Sequence, residues 1–188
     1  KIKEDFVLHT DGTQSEHGFV SITSNKNNGF YVSWLDGRNT IEKGPEGQYK
    51  PMTIRFAEVT ANGAIVNEKE LDSATCDCCQ TSITATSKGP VVVYRDRSEK
   101  EVRDIYITRK INGVWEAPFP VHNDGWIING CPVNGPKVAS NLNNLAVGWF
   151  TVSDGRPIVN LSFSKSNGES FDSPIKINTL DAIGRVDV

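Results

Sequence analysis

Three of the four cysteines lie in one short stretch, Cys76-Asp77-Cys78-Cys79, and the fourth, Cys131, lies in Gly130-Cys131-Pro132-Val133-Asn134-Gly135-Pro136. Thiols so placed allow three chemistries. They can pair as disulfides, with three connectivities open to four cysteines. They can hold zinc, or a soft metal such as copper, as thiolates. They can also stay free and pack as small hydrophobes. The spacing matches neither a zinc ribbon nor a zinc knuckle. Close by in sequence is the densest group of arginines, Arg95, Arg97 and Arg103, with Asp96 among them. Guanidinium forks bind carboxylates through two parallel hydrogen bonds, so such a group suits an anionic ligand. The same pairs also make polar turns and solvated ion pairs.

The elements that must position these residues are strands. Gly, Asn, Asp and Ser interrupt the chain roughly every 8–12 residues, and the runs between them are rich in Val, Ile, Thr, Tyr, Phe and Trp, an all-β pattern. Three runs align as second strands, Phe30–Trp34, Val91–Arg95 and Ala146–Phe150, and three as third strands, Met52–Phe56, Asp104–Thr108 and Ile158–Ser162. An Asn-Gly pair follows each third strand, at 62–63, 112–113 and 167–168, and tolerates the positive φ of a tight hairpin. A fourth strand follows each pair, at 65–71, 118–122 and 174–179. His9 and His122 fall at equivalent ends of fourth-strand segments.

Four-stranded units at this period mark a β-propeller. The expected fold is all-β, three four-stranded antiparallel blades (12–72, 73–124 and 125–181) of a larger, six-bladed propeller. Segments 5–10 and 184–188 read as orphan strands of neighbouring blades, so the remaining blades of the same propeller or a second copy of the chain are expected partners. A two-sheet sandwich explains neither the orphans nor the repeated turn.

In such a fold the loops joining strand two to three and those joining blades share one face, around the channel mouth. The first set carries Asp36 and Arg38, then Arg95, Asp96, Arg97 and Arg103, then Asp154 and Arg156. The second carries Glu16 and His17, the three clustered cysteines, Asp124, Trp126, Cys131 and Asn134, then Asp181 and Arg185. If the face is shared, Cys131 lies beside the Cys76–Cys79 loop and pairs with Cys78 or Cys79, or shares a metal with them.

The segment Ser164-Lys165-Ser166-Asn167-Gly168-Glu169-Ser170-Phe171 resembles the Asp-box (BNR repeat) of bacterial neuraminidases, with Ser166 where that motif has Asp and Phe171 where it has Trp. Lys110-Ile111-Asn112-Gly113-Val114-Trp115 is a shorter version. With the Cys-Asp-Cys-Cys-Gln and Gly-Cys-Pro-Val-Asn-Gly-Pro segments, the whole chain is similar to the sialidase-like propeller superfamily. The resemblance implies an exo-α-sialidase-like glycoside hydrolase, or a propeller binding anionic, sialic-acid-type glycans. On that reading Asp96 and Glu16 are the candidate catalytic residues, and Arg95, Arg97, Arg103, Arg156, Arg38, Arg185 and Trp126 line the substrate. The family's Phe/Tyr-Arg-Ile-Pro segment is absent; Thr53-Ile54-Arg55-Phe56 does not match it. The alternatives are a non-catalytic glycan- or protein-binding propeller and a metal-binding propeller built on Cys76, Cys78, Cys79 and Cys131. No cofactor is expected beyond a metal at those cysteines.

Composition excludes other classes. A net charge of −3 and a pI near 5.6 oppose a nucleic-acid surface, which needs a basic stripe. Apolar runs such as Val91–Tyr94 have strand length, far below the ~20 residues of a spanning helix. Residues 1–5 show no apolar core of a signal peptide; a processed protein, secreted or periplasmic, is expected.

Overall fold

The computed structural model describes residues 6–188. Among them there is no α-helix, and so none long and apolar enough to cross a membrane. The chain builds three antiparallel sheets in succession. Sheet I contains β1 (His17–Ser24), β2 (Phe30–Asp36), β3 (Met52–Val59) and β4 (Ile65–Thr75) in sequential order. Sheet II contains β5 (Ser82–Ala85), β6 (Pro90–Arg95) and β7 (Ile105–Ile111), with both β8 (Val114–Trp115) and β9 (Phe119–Pro120) paired to β7. Sheet III contains β10 (Lys137–Asn141), β11 (Asn144–Ser153), β12 (Arg156–Ser164) and β13 (Ile175–Lys176).

The expected fourth strand at 118–122 is therefore shortened to Phe119–Pro120, with a separate short pairing at Val114–Trp115 before it. Pro118 and Pro120 bring no backbone N–H to the ladder, and the pairing shrinks to two short pieces. Residues 6–10 and 184–188 carry no strand, because a lone edge segment has no neighbouring ladder to join; residue 5 of the expected first orphan lies outside the described residues. The three sheets close no ring among the described residues.

The sheets stack through two apolar seams. Between I and II lie Leu35, Met52, Ile54, Phe56 and Leu71 against Ile83, Val92 and Tyr94. Between II and III lie Val91, Val93, Ile105, Ile107 and Val121 against Val138, Leu145, Val147 and Trp149. Strand β6 thus alternates, Val92 and Tyr94 to one seam and Val91 and Val93 to the other, as a strand buried on both faces must. Trp34, on the outer face of sheet I with Val32 and Leu8, is the counterpart of Tyr94 and Trp149. The sequence alignment, which equated Trp34 with Arg95, was one residue out of register, and a one-residue slip exchanges the faces.

First strands of neighbouring sheets lie against each other and are joined by hydroxyls. Ser21 Oγ accepts the Ile83 N–H at 3.1 Å, and Ser82 Oγ accepts the Val138 N–H at 3.1 Å. Thr84 Oγ1 and Ser140 Oγ are 2.7 Å apart across the second seam.

Both ends of the stack have clear roles. At one end are the turns. Asn112 and Asn167 adopt φ of 52° and 56° and are followed by glycines at 84° and 81°, as the hairpin reading requires. In the Asp-box-like turn Ser164 Oγ accepts the N–H groups of Ser166 and Gly168, Ser166 Oγ accepts that of Ser170, and Arg109 of sheet II donates to the Ser166 and Asn167 carbonyls. At the other end, the rim, second-to-third loops meet inter-sheet loops: Gly37 N donates to Glu16 O, and Arg103 N to Trp126 O, each at 2.8 Å. Gly135 is fixed here, since a Cβ would fall 1.9 Å from Gln80 O. Gly135→Ala is expected to destabilise the protein by about 1–3 kcal/mol, read from the urea midpoint; an unchanged midpoint would contradict the close packing of the two inter-sheet loops.

Candidate functional site

The rim is built from ladder ends. At the last rung of its ladder, where Thr75 pairs with Met52, β4 also bridges Asp96, and Cys76 N donates to Arg95 O at 2.9 Å. This sets the loop 76–81 beside the end of β6. Loop 121–136 is held to the same place by the Val102–Ile127 bridge and by Ile128 N on Glu101 O.

The rim arginines are largely engaged within the protein. Arg95 is 1% exposed. Its Nε donates to Asn134 O at 2.8 Å, its Nη2 to Phe150 O at 2.6 Å and its Nη1 to Arg103 O, and its guanidinium lies 4.9 Å over the Trp126 ring. Arg95 is thus a tie between sheets II and III, not a group presented to a ligand, and Trp126 is buried with it, edge-on to Phe150. Arg97 and Arg103 share Glu101, and Arg97 also reaches Asp77 Oδ2 at 3.2 Å. Arg38 forks onto Asp36 at 2.8 and 2.7 Å and touches Glu68 and Asp11. These contacts hold the Asp36 and Glu101 carboxyls below their usual range, against burial in the case of Asp36. Among the described residues, the side chains of Arg156 and Arg185 are exposed and have no carboxylate partner.

Asp96 is the unusual acid. It is 9% exposed, and burial together with the charges of Asp72 and Asp104 pushes its pKa up to about 7. Asp72 accepts the Tyr94 hydroxyl, and Asp104 accepts the N–H groups of Gly125 and Trp126 at 3.0 and 3.1 Å. Glu16, the other candidate catalytic residue, is exposed on sheet I, and its carbonyl accepts Gly37 N. His17 stacks on His9 at 3.6 Å and both bond Asp11, while His122 bonds Asp124 in the way that His9 bonds Asp11.

The three cysteines of the first loop converge. Cys76 Sγ is 3.2 Å from Cys79 Sγ and 3.8 Å from Cys78 Sγ, while Cys131 lies outside this close group of three, on the neighbouring inter-sheet loop. All four are free thiols, so the expected disulfide is not formed. The hydrogen bond from Cys79 draws the Cys76 thiol down to about 6, while burial and the Cys131 contact push Cys78 up to about 12.

A groove of about 600 Å³ opens on the rim between loops 37–51 and 96–101, lined by Gln48, Tyr49, Arg97, Ser98, Glu99 and Glu101, among others. Tyr49 is 70% exposed, with Lys43 Nζ 5.5 Å from its ring. The loop that carries Tyr49 has two glycines and a proline, a composition that marks exposure and no ligand. The available signal was an aromatic residue in an otherwise polar loop.

No protein family and no curated protein matches the chain. Among solved structures it is similar to a protein of unknown function from Dyadobacter fermentans, with 12% identity and a TM-score of 0.58 over 88% of this chain and 56% of that one. A GH62 α-L-arabinofuranosidase catalytic domain from Coprinopsis cinerea has 10% identity and a TM-score of 0.48 over 94% and 55%. A GH32 β-fructofuranosidase from Bombyx mori has 12% identity and a TM-score of 0.44 over 81% and 34%. The first likeness is one of fold, and the chain spans little more than half of that protein's length.

Proposed function

We propose that the chain is a segment of a β-propeller that binds a glycan in the rim groove beside Tyr49. The observation that carries this is the groove itself: an exposed aromatic face flanked by carboxylates, an amide and a guanidinium. Sugar rings offer C–H faces to aromatic rings and hydroxyls to such groups, and the volume lies in the range of small-ligand sites. Glu46, Glu99 and Glu101 line the groove, and its guanidinium, Arg97, is already paired with Glu101 and Asp77, so the groove favours a neutral glycan over an anionic one. Hydrolysis would require Asp96 to reach the ligand, and its carboxyl is turned into a buried acidic group; the reading is one of binding. Tyr49→Ala, a surface change that leaves the sheets intact, is expected to weaken binding of neutral oligosaccharides about tenfold by titration calorimetry, the loss of about 1.4 kcal/mol of stacking. Equal affinity in both proteins would refute the groove.

A second reading keeps the sialic-acid-type ligand and rests on Arg156 and Arg185, the exposed arginines without carboxylate partners. Binding confined to sialosides and lost in Arg156→Ala would favour it.

A further inference from the structure

We propose that Cys76, Cys78, Cys79 and Cys131 form a binding site for a thiophilic closed-shell cation, Zn²⁺ or Cu⁺. The site is independent of the glycan reading. The three sulfurs of the first loop lie within 4.8 Å of one another, with no histidine or carboxylate in the group. The fourth thiol, Cys131, comes from the adjacent inter-sheet loop, 52 residues further along the chain than Cys79, and stands outside the close group of three, so it must swing in to complete the site. Around a four-thiolate zinc centre with bonds of about 2.3 Å, neighbouring sulfurs stand about 3.8 Å apart; the Cys76–Cys78 separation is 3.8 Å and the Cys76–Cys79 separation 3.2 Å. Little movement would seat an ion among these first three thiols.

The surroundings suit the charge. The guanidinium groups of Arg103 and Arg95 lie close enough to Cys76 and Cys79 to favour their thiolates electrostatically. Three or four thiolates around one such cation leave excess negative charge, and two fixed guanidinium groups offset it inside the protein. A donor set of sulfur alone selects zinc or cuprous copper over oxygen-seeking cations such as Mg²⁺ and Ca²⁺. Access is built in as well: Cys131 is exposed, Cys78 half-buried, and Cys76 and Cys79 buried, so the thiols lead from solvent to the interior.

The test is titration of the full, reduced chain with Zn²⁺, with Cu⁺ under a competing chelator, and with Co²⁺ as a spectroscopic probe. One equivalent is expected to bind, with thiolate-to-metal absorption in the near ultraviolet and, for Co²⁺, the visible bands of a tetrahedral site. The Zn²⁺ and Cu⁺ arms decide between the two ions. Cys131→Ser, at an exposed position, is expected to keep the far-ultraviolet circular dichroism and weaken binding by more than the roughly 10–100-fold typical of losing an outer partner. Cys76→Ser is expected to abolish the absorption. Three results would overturn the proposal: no retention of any of the ions by folded protein, undiminished binding in both variants, or complete oxidation of the purified protein to two disulfides.

Discussion

Replacing Arg95 by alanine is expected to destabilise the protein by about 3–5 kcal/mol, the range for stripping the partner from buried charged or polar groups. The guanidinium holds the carbonyls of Asn134, Arg103 and Phe150 and covers Trp126. Removal takes the donor from two buried carbonyls and one half-buried one and opens a void between sheets II and III. Arg95→Met separates the two effects, since it restores most of the volume and none of the donors. Chemical denaturation should therefore show Arg95→Met close to Arg95→Ala. A methionine variant as stable as the parent would mean that packing, not hydrogen bonding, is the role of Arg95. Loss of a rim activity in Arg95→Ala would report unfolding rather than loss of a ligand contact.

The second large effect is one of pH. Asp96 keeps its proton up to about 7 in the folded protein and releases it near the ordinary 3.8 when unfolded. The folded state therefore binds more protons throughout that window, and stability falls as pH rises through it. The contribution is fully present below 3.8 and lost above 7; the gap corresponds to about 4 kcal/mol. Asp104, also raised by burial, acts in the same direction. Asp36 and Glu101, both lowered, act oppositely and withdraw stability in acid. Stability should thus peak in the mildly acidic range. Asp96→Asn should flatten the alkaline limb, matching the parent near pH 4 and exceeding it at pH 8. Parallel stability curves for the two proteins would show that Asp96 is ionised in the fold.

Much of the architecture could be read from local chemistry. Asn112-Gly113 and Asn167-Gly168 form tight turns because their backbones accept positive φ, a property of the residues themselves. The order of strands followed from those turns. Facing was harder: equating Trp34 with Arg95 respected strand position but ignored alternation, and only the packing of Leu8 and Val32 beside Trp34 shows the face. The rim arginines were located correctly in the chain and read incompletely, because what occupies a guanidinium comes from distant segments. Glu68 lies 30 residues from Arg38, and Asp77 lies 20 from Arg97. That Cys76, Cys78 and Cys79 cluster was legible from their adjacency, but free thiols and bonded ones have the same spacing, and the distance to Cys131 one repeat away is set by loop packing. Tyr49 was hidden by a loop whose composition describes exposure and says nothing about which wall it forms.

The serine hydroxyls joining first strands also bear on how the molecule comes apart. Ser21 couples sheet I only to sheet II, and Ser82 couples sheet II only to sheet III, so the stack behaves as a linear array with nearest-neighbour terms. In such an array the middle member has two couplings and each end member one. Opening then proceeds inward from the ends, and sheet II, which carries the cysteine loop at its head, is the last to yield. The position in β10 that corresponds to Ser21 and Ser82 is Lys137, whose ammonium lies 3.8 Å from Asp187. That contact ties the C-terminal segment, not a further sheet, to sheet III, and salt would loosen the segment while leaving the hydroxyl links between sheets closed.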